Sequence, residues 1–340
     1  MKLGARSALV ALLALASCSK EAEPPSRASP TPNPSAPGPT PMPPTPTSSA
    51  LSAFTSLKGG TAEAIAPGDR IVALYTRSAT WWDHDAPITA ELPGIPVEGS
   101  RWTSDGKLHV GLGTLDLASR TWQPEAKLQI WNQPSKMPAS LVAWLANGTH
   151  VAMVLGPPPQ RMDSPTVEKT RELVIATVAD GKPSGRHKLD LKIAPAMAAS
   201  NDRVLVASDT ATLFDLDAKV IAGADKLPGF TNRVRFGAGS FAMTGASGEV
   251  ALVDPAGGAV LATWKPATAA IDAVPVTGGV VAIDMKGTVY IGCVEHGKVR
   301  TTGQATAGAG AIMVQLVGDR VVVSGAGSDP VRWATFTNPC

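Results

Sequence analysis

An excess of charge of either sign is missing from this chain: 30 Lys and Arg stand against 28 Asp and Glu in 340 residues. Without a basic block there is nothing to neutralise phosphates, and a nucleic-acid partner is excluded on electrostatic grounds. The same lack excludes a polybasic membrane patch. Histidine is scarce, and His84, His109, His150, His187 and His296 stand apart, with neither an H-x-x-x-H spacing nor a cysteine pair to form a zinc site. A G-x-S-x-G nucleophile elbow and a phosphate-binding glycine loop are both absent. Ser104 and Lys107 satisfy S-x-x-K, but Asp105 and Gly106 between them read as a turn. No cofactor is implied. A long hydrophobic run is also lacking, since the apolar stretch from Ala8 to Ala16 falls well short of the about 20 residues that cross a bilayer.

That short run carries a message of its own. Lys2 and Arg6 precede it and Leu15, Ala16, Ser17 and Cys18 end it, the layout of a secretory signal. These four residues resemble the lipobox of bacterial lipoproteins. The resemblance implies cleavage before Cys18, a diacylglycerol on its thiol and an acylated new amino terminus, so residues 1–17 are read as a signal peptide. One acyl chain alone anchors marginally and several anchor firmly. By analogy with lipoprotein sorting, Ser19 and Lys20 lack the aspartate of inner-membrane retention, which favours the outer membrane of a bacterial envelope. Removing Lys2 and Arg6 leaves a mature chain of zero formal charge.

Residues 18–50 are read as a lipidated tether. Eleven prolines lie between positions 21 and 50, interleaved with Ser, Thr and Ala. Proline fixes φ and removes an amide donor, so the stretch reads as a polyproline-like spacer reaching at most roughly 90 Å.

From residue 51 to 340 short apolar runs alternate with Gly, Asp and Asn turns, and no long amphipathic helical pattern occurs. Turn-plus-strand-pair segments begin at Gly68, Gly106, Gly148, Asn201, Gly239, Gly278 and Gly318, in steps of 38, 42, 53, 38, 39 and 40 residues. The long step holds a proline- and charge-rich insertion, roughly Pro157 to Arg171, between the two runs of the third unit. Further runs flank the pairs, among them ASLVAWLA at 139, RVRFGA at 233, AIDAVPV at 270 and AIMVQLV at 311. Four short strands per about 40 residues is the pattern of a propeller blade, which buries its faces only against other blades. The expected fold is all-β: a single seven-bladed β-propeller of four-stranded antiparallel blades. The last unit ends after its third strand, and LSAFTSL at 51–57 is expected to supply the fourth and close the ring.

VALVDPAGGAVLATW, residues 250–264, resembles the repeat of quinoprotein-like and WD40-like propellers, and LDLASRTW at 115–122 echoes it. A lipid-anchored propeller is also similar in plan to the lipoprotein of the outer-membrane barrel assembly machinery, a family that usually has eight blades. Fold alone assigns no activity.

Three groups of side chains remain as candidates. Cys293 and Cys340 are the cysteines outside the lipobox, and an oxidising compartment permits them to pair. Trp81, Trp82, Trp102 and Trp122 crowd the first two units, where they either pack between blades or form an exposed platform for sugars or a partner. Trp81-Trp82-Asp83-His84-Asp85 reads as a solvated strand end in preference to a cation site. With no convergent catalytic set, the leading reading is a non-catalytic protein-interaction scaffold. The alternatives are a propeller enzyme, quinoprotein-like or carbohydrate-active, and a glycan-binding module.

Overall fold

The computed structural model describes residues 50–59, 62–132, 139–156, 170–191, 193–229, 231–325 and 330–340. The signal peptide, Leu15, Ala16, Ser17, Cys18 and the proline-rich tether lie outside these residues, as does the insertion up to position 169.

Among the described residues the short apolar runs fold as 28 strands, joined in antiparallel four-strand meanders. Five sheets have four strands each: 64–91, 101–124, 139–190, 196–222, and a closing sheet of 311–335 with 55–56. One sheet has eight strands and divides into 231–264 and 270–306, which meet at a single parallel pair, Thr263 with Lys298. Strand Thr55–Ser56 pairs antiparallel with Arg332–Thr335, so the two ends of the unit share one sheet. The bridge Leu51 to Phe336 and the hydrogen bond from the Leu57 amide to the Val331 carbonyl extend that seam.

Burial explains why the strands read as they do. Second strands such as Val204–Ala207 and Gly279–Asp284 are buried throughout, and their runs are continuously apolar apart from the terminal Asp284. Fourth strands such as Lys298–Thr306 face solvent and are polar. Seven apolar clusters among the described residues are each drawn from two successive sheets or half-sheets. One of them joins Leu57, Ile65 and Ala73 to Val317, Val322 and Val331, sealing the first sheet against the closing one. Each face is therefore covered by a neighbour and the order of neighbours closes on itself.

The turns follow a chemical rule. Asp105, Asp116, Asn147, Asp180, Asp215, Asp254 and Asp284 each accept the backbone N–H two residues on. This side-chain bond substitutes for a turn's own backbone bond and stops each strand at a fixed point. Gly99 serves another need: at φ +77° its ideal Cβ would stand 2.1 Å from the Val142 carbonyl oxygen, so only glycine lets the second and third sheets approach there.

Among the described residues one element departs from the all-β expectation. Ala126–Trp131 is a 3-10 helix linking the second and third sheets, with Leu128 fully buried and the Trp131 indole donating to the Gly181 carbonyl. Cys293 and Cys340 form a disulfide that ties the chain end to the strand Thr288–Glu295. Closing a loop of 47 residues stabilises by about 4 kcal/mol in the chain-entropy view.

Candidate functional site

The first strands of the sheets from 139 onward lie beside one another in turn and surround the axis. Four of them carry a register shift near their start, between Ala139 and Leu141, Thr231 and Arg233, Ala270 and Asp272, and Ala311 and Met313. A bulge at a rim re-aims side chains and ends regular pairing. Here the repeated bulges open one end of the axis into a mouth of about 840 Å³. That volume suits a small molecule or a short peptide segment.

The mouth has apolar walls, including Ile95, Val97, Leu141, Ile312 and Met313, and four charged groups. Glu63 accepts the Thr76 hydroxyl at 2.5 Å, and Glu98 lies 3.6 Å from Arg233. Arg171 differs from these. It is 5% exposed, and its Nη1 has no hydrogen-bond partner. Burial pushes its pKa below the ordinary arginine value. Gly156, at the end of the strand before it, explains how the side chain fits: at φ +148° an ideal Cβ would lie 3.1 Å from the Arg171 Cγ.

Below the mouth the axis narrows to a space of about 60 Å³ flanked by Arg101, Arg235 and Gln315 among small and apolar residues. Asp272, fully buried, accepts Arg235 through Nε at 3.2 Å and Nη2 at 2.9 Å, a two-point charge-assisted contact. It also accepts the amides of Ala273 and Val314, and so links three successive units. Arg101 donates to the Ala199 carbonyl at 2.9 Å, and burial lowers its pKa to about 10. Asp272 and Arg235 are thus spent on one another and on the backbone, whereas the buried Nε of Arg101 has no hydrogen-bond partner.

His109 sits deeper, stacked on Trp144 at 3.8 Å and 2% exposed, with no hydrogen bond to either ring nitrogen. Burial lowers its pKa, opposed by Asp105 and Glu125. A free histidine titrates near about pH 6.5, so below that point the unfolded chain takes up a proton that the folded chain resists. Stability is therefore lost as pH falls through this range. Half-buried His150 shifts in the same direction from the same cause. The melting temperature should fall more steeply between about pH 7 and pH 5 in the native chain than in His109→Phe, which keeps the stack but does not titrate. Equal slopes would show that His109 does not carry the effect.

The structure disperses the four tryptophans singled out in the sequence. Trp81, 6% exposed, joins Trp102 and Trp122 in the apolar layer between the first and second sheets. The Trp122 indole donates to the Val110 carbonyl. Trp82 turns the other way, packing with Trp333 between the first and closing sheets and donating to the Lys58 carbonyl. Trp81 and Trp82 do reach a second hollow of about 630 Å³, at the opposite end of the strand Ser78–Asp83 from the mouth. Trp333, with Arg320 stacked at 4.7 Å, completes its aromatic wall. Asp83 holds the His84 Nδ1 at 2.7 Å, and His84 and Asp85 both have positive φ, as a two-residue hairpin turn requires. Among the described residues no three His, Cys, Asp or Glu side chains converge to hold a metal ion.

Arg171, Arg235 and Asp272 did not emerge from sequence reading. One signal was present: Asp272 interrupts an apolar run, and Arg235 precedes it by 37 residues, close to one repeat.

Searches of the sequence against family models and against curated proteins return no match. Solved structures do match in shape. A chain of a mitotic checkpoint complex superposes with a TM-score of 0.60 at 11% identity, over 89% of this chain and 97% of the other. The β-propeller domain of Cps50 (Swd1) from Myceliophteria thermophila gives 0.61 at 12%, over 84% and 100%. BamB from Moraxella catarrhalis gives 0.51 at 12%, also over 84% and 100%. At these identities the likeness speaks for architecture alone, and together with the sheet order it shows an all-β propeller of four-stranded antiparallel blades.

Proposed function

We propose that this chain is a lipid-anchored bacterial envelope protein whose propeller is a non-catalytic protein-interaction module, working through its axial mouth. The observation that carries the reading is the division of charge along the axis. Among the described residues the acid of the narrow part, Asp272, is saturated by Arg235 and two amides, while the wide mouth holds a buried guanidinium, Arg171, whose Nη1 has no hydrogen-bond partner. A propeller enzyme needs free acid–base groups aimed at one reacting atom. A binding surface needs shape, apolar area and a few uncompensated polar atoms, and the mouth has these. The mitotic checkpoint complex, matched in shape, is by its own description an assembly.

Two finer features belong to the same proposal. The eight-stranded sheet counts as two blades, because its halves share one residue pair and pack face to face through Ala242, Leu252 and Trp264 against Ala273, Val280 and Tyr290, which makes a ring of seven. Cys18 carries the lipid, the Ala- and Leu-rich run before it is the signal, and the absence of an aspartate at position 19 favours the outer membrane.

Cell fractionation combined with site-specific photo-crosslinking tests both halves. Cys18→Ala should move the protein from the membrane to the soluble fraction and remove the lipid mass. A photo-reactive residue at Ser140 on the mouth should give one discrete crosslinked species, and one at exposed Val220 on the outer rim should not. Unchanged fractionation would refute the anchor. Equal, diffuse crosslinking at both positions would refute the mouth as the interface.

A further inference from the structure

A buried guanidinium with an idle donor is costly, because removal from water is uncompensated when no acceptor replaces it. Arg171 is such a group, nearly shut off from solvent and lining the mouth of about 840 Å³. The neighbouring acids are engaged elsewhere: Glu98 faces Arg233, and Glu63 takes the Thr76 hydroxyl. Gly156 leaves the room in which the Arg171 stem crosses toward the cavity, and a side chain there would press on it. Leu141, Ile312 and Met313 make the adjoining wall apolar. An arginine fork matches a planar carboxylate at two points.

We infer that the mouth receives a carboxylate borne on an otherwise apolar peptide segment of the partner protein, and that Arg171 holds it. This rests on the interaction reading above and names the chemistry of that interaction. The apolar wall argues for a carboxylate over a phosphate, because the more highly charged group costs more to take out of water beside Leu141, Ile312 and Met313. Apolar residues on both sides of the acid would fill the wall and exclude water, which strengthens the ion pair.

A random peptide library panned on the full chain supplies the probe. The enriched peptides should carry one Asp or Glu flanked by apolar residues, and their dissociation constant should rise at least tenfold with Arg171→Met. Arg171→Lys should fall between the two, and Arg70→Ala at the opposite end should change nothing. The melting temperature of Arg171→Met should not fall, since an unpaired buried charge is removed, and this separates lost binding from lost folding. Acid-free peptides, peptides indifferent to Arg171→Met, or no enrichment at all would overturn the inference. So would an anionic lipid seen by native mass spectrometry on the native chain and missing from Arg171→Met. If the Ser140 crosslink persists in Arg171→Met while the peptide arm fails, the interaction reading stands and the carboxylate falls. Loss of both ends both.

Discussion

Asp272→Ala should destabilise the propeller by about 3–5 kcal/mol, because it leaves a buried guanidinium without its counter-charge. For a domain of this size that is a fall in melting temperature of roughly 10 °C. Arg235 is 16% exposed and, among the described residues, has no other acid at bonding distance, although Glu98 adds a weaker pull from farther away. Burial alone would lower the Arg235 pKa, and the contact with Asp272 turns the net shift upward. The aspartate also holds the amides of Ala273 and Val314, so its loss strips acceptors from two first strands at once. Arg235→Met combined with Asp272→Asn should recover a large part of the loss, since the unpaired charge then disappears and the amide oxygen still accepts the backbone donors. Thermal melts of the two single variants and the double variant measure the coupling. Strictly additive losses would show that the pair is not the source of the effect.

Deleting residues 51–57 from the otherwise intact chain should have an effect at least as large. Leu51 and Leu57 are 4% and 6% exposed, and burial of each such side chain contributes about 1.5–3 kcal/mol. The Ser52 amide donates to the Thr335 carbonyl, and the Ser52 hydroxyl accepts the Thr335 amide. With the pairing of Thr55 and Ser56 these bonds cover the outer edge of Arg332–Thr335. The expected loss is on the order of 5 kcal/mol, and the melting temperature falls by roughly 10–20 °C. The uncovered edge is also a template for pairing with another chain, so sedimentation should show concentration-dependent association of the deletion variant. An unchanged melting curve would mean that this run does not close the ring.

The strands were legible because their burial is regular. AIDAVPV at 270, AIMVQLV at 311 and ASLVAWLA at 139 became first strands, and LSAFTSL contributed the strand at the seam. Continuous apolar runs with turn residues at fixed spacing are a local property, and a local property can be read from one chain. The mouth is not local. Its bulges depend on how each first strand bends toward the axis, and nothing in the residues at 140, 232, 271 or 312 marks an extra position. Arg171 looked like the tail of a charged insertion, and its burial arises from Gly156 and the fold around it. The tryptophans show the converse: sequence proximity suggested a shared surface, but alternate strand faces sent Trp81 and Trp82 to different inter-sheet layers. The short helix Ala126–Trp131 leaves no signal in the sequence because it has only about two turns and no side-chain cap.

Closure of the ring on its own first strand is the claim on which the mouth, the axis and the display of the domain depend. Ser56 and Arg332 are directly opposed in the seam. Opposed residues of an antiparallel pair stand about 4.5–5.5 Å apart at Cα, within the range that a disulfide spans. Ser56→Cys with Arg332→Cys should therefore form an intramolecular crosslink under mild oxidation, found by peptide mapping as a bond between the two chain ends, with the melting temperature raised. Free thiols at both positions in the folded, oxidised protein would contradict the closed ring.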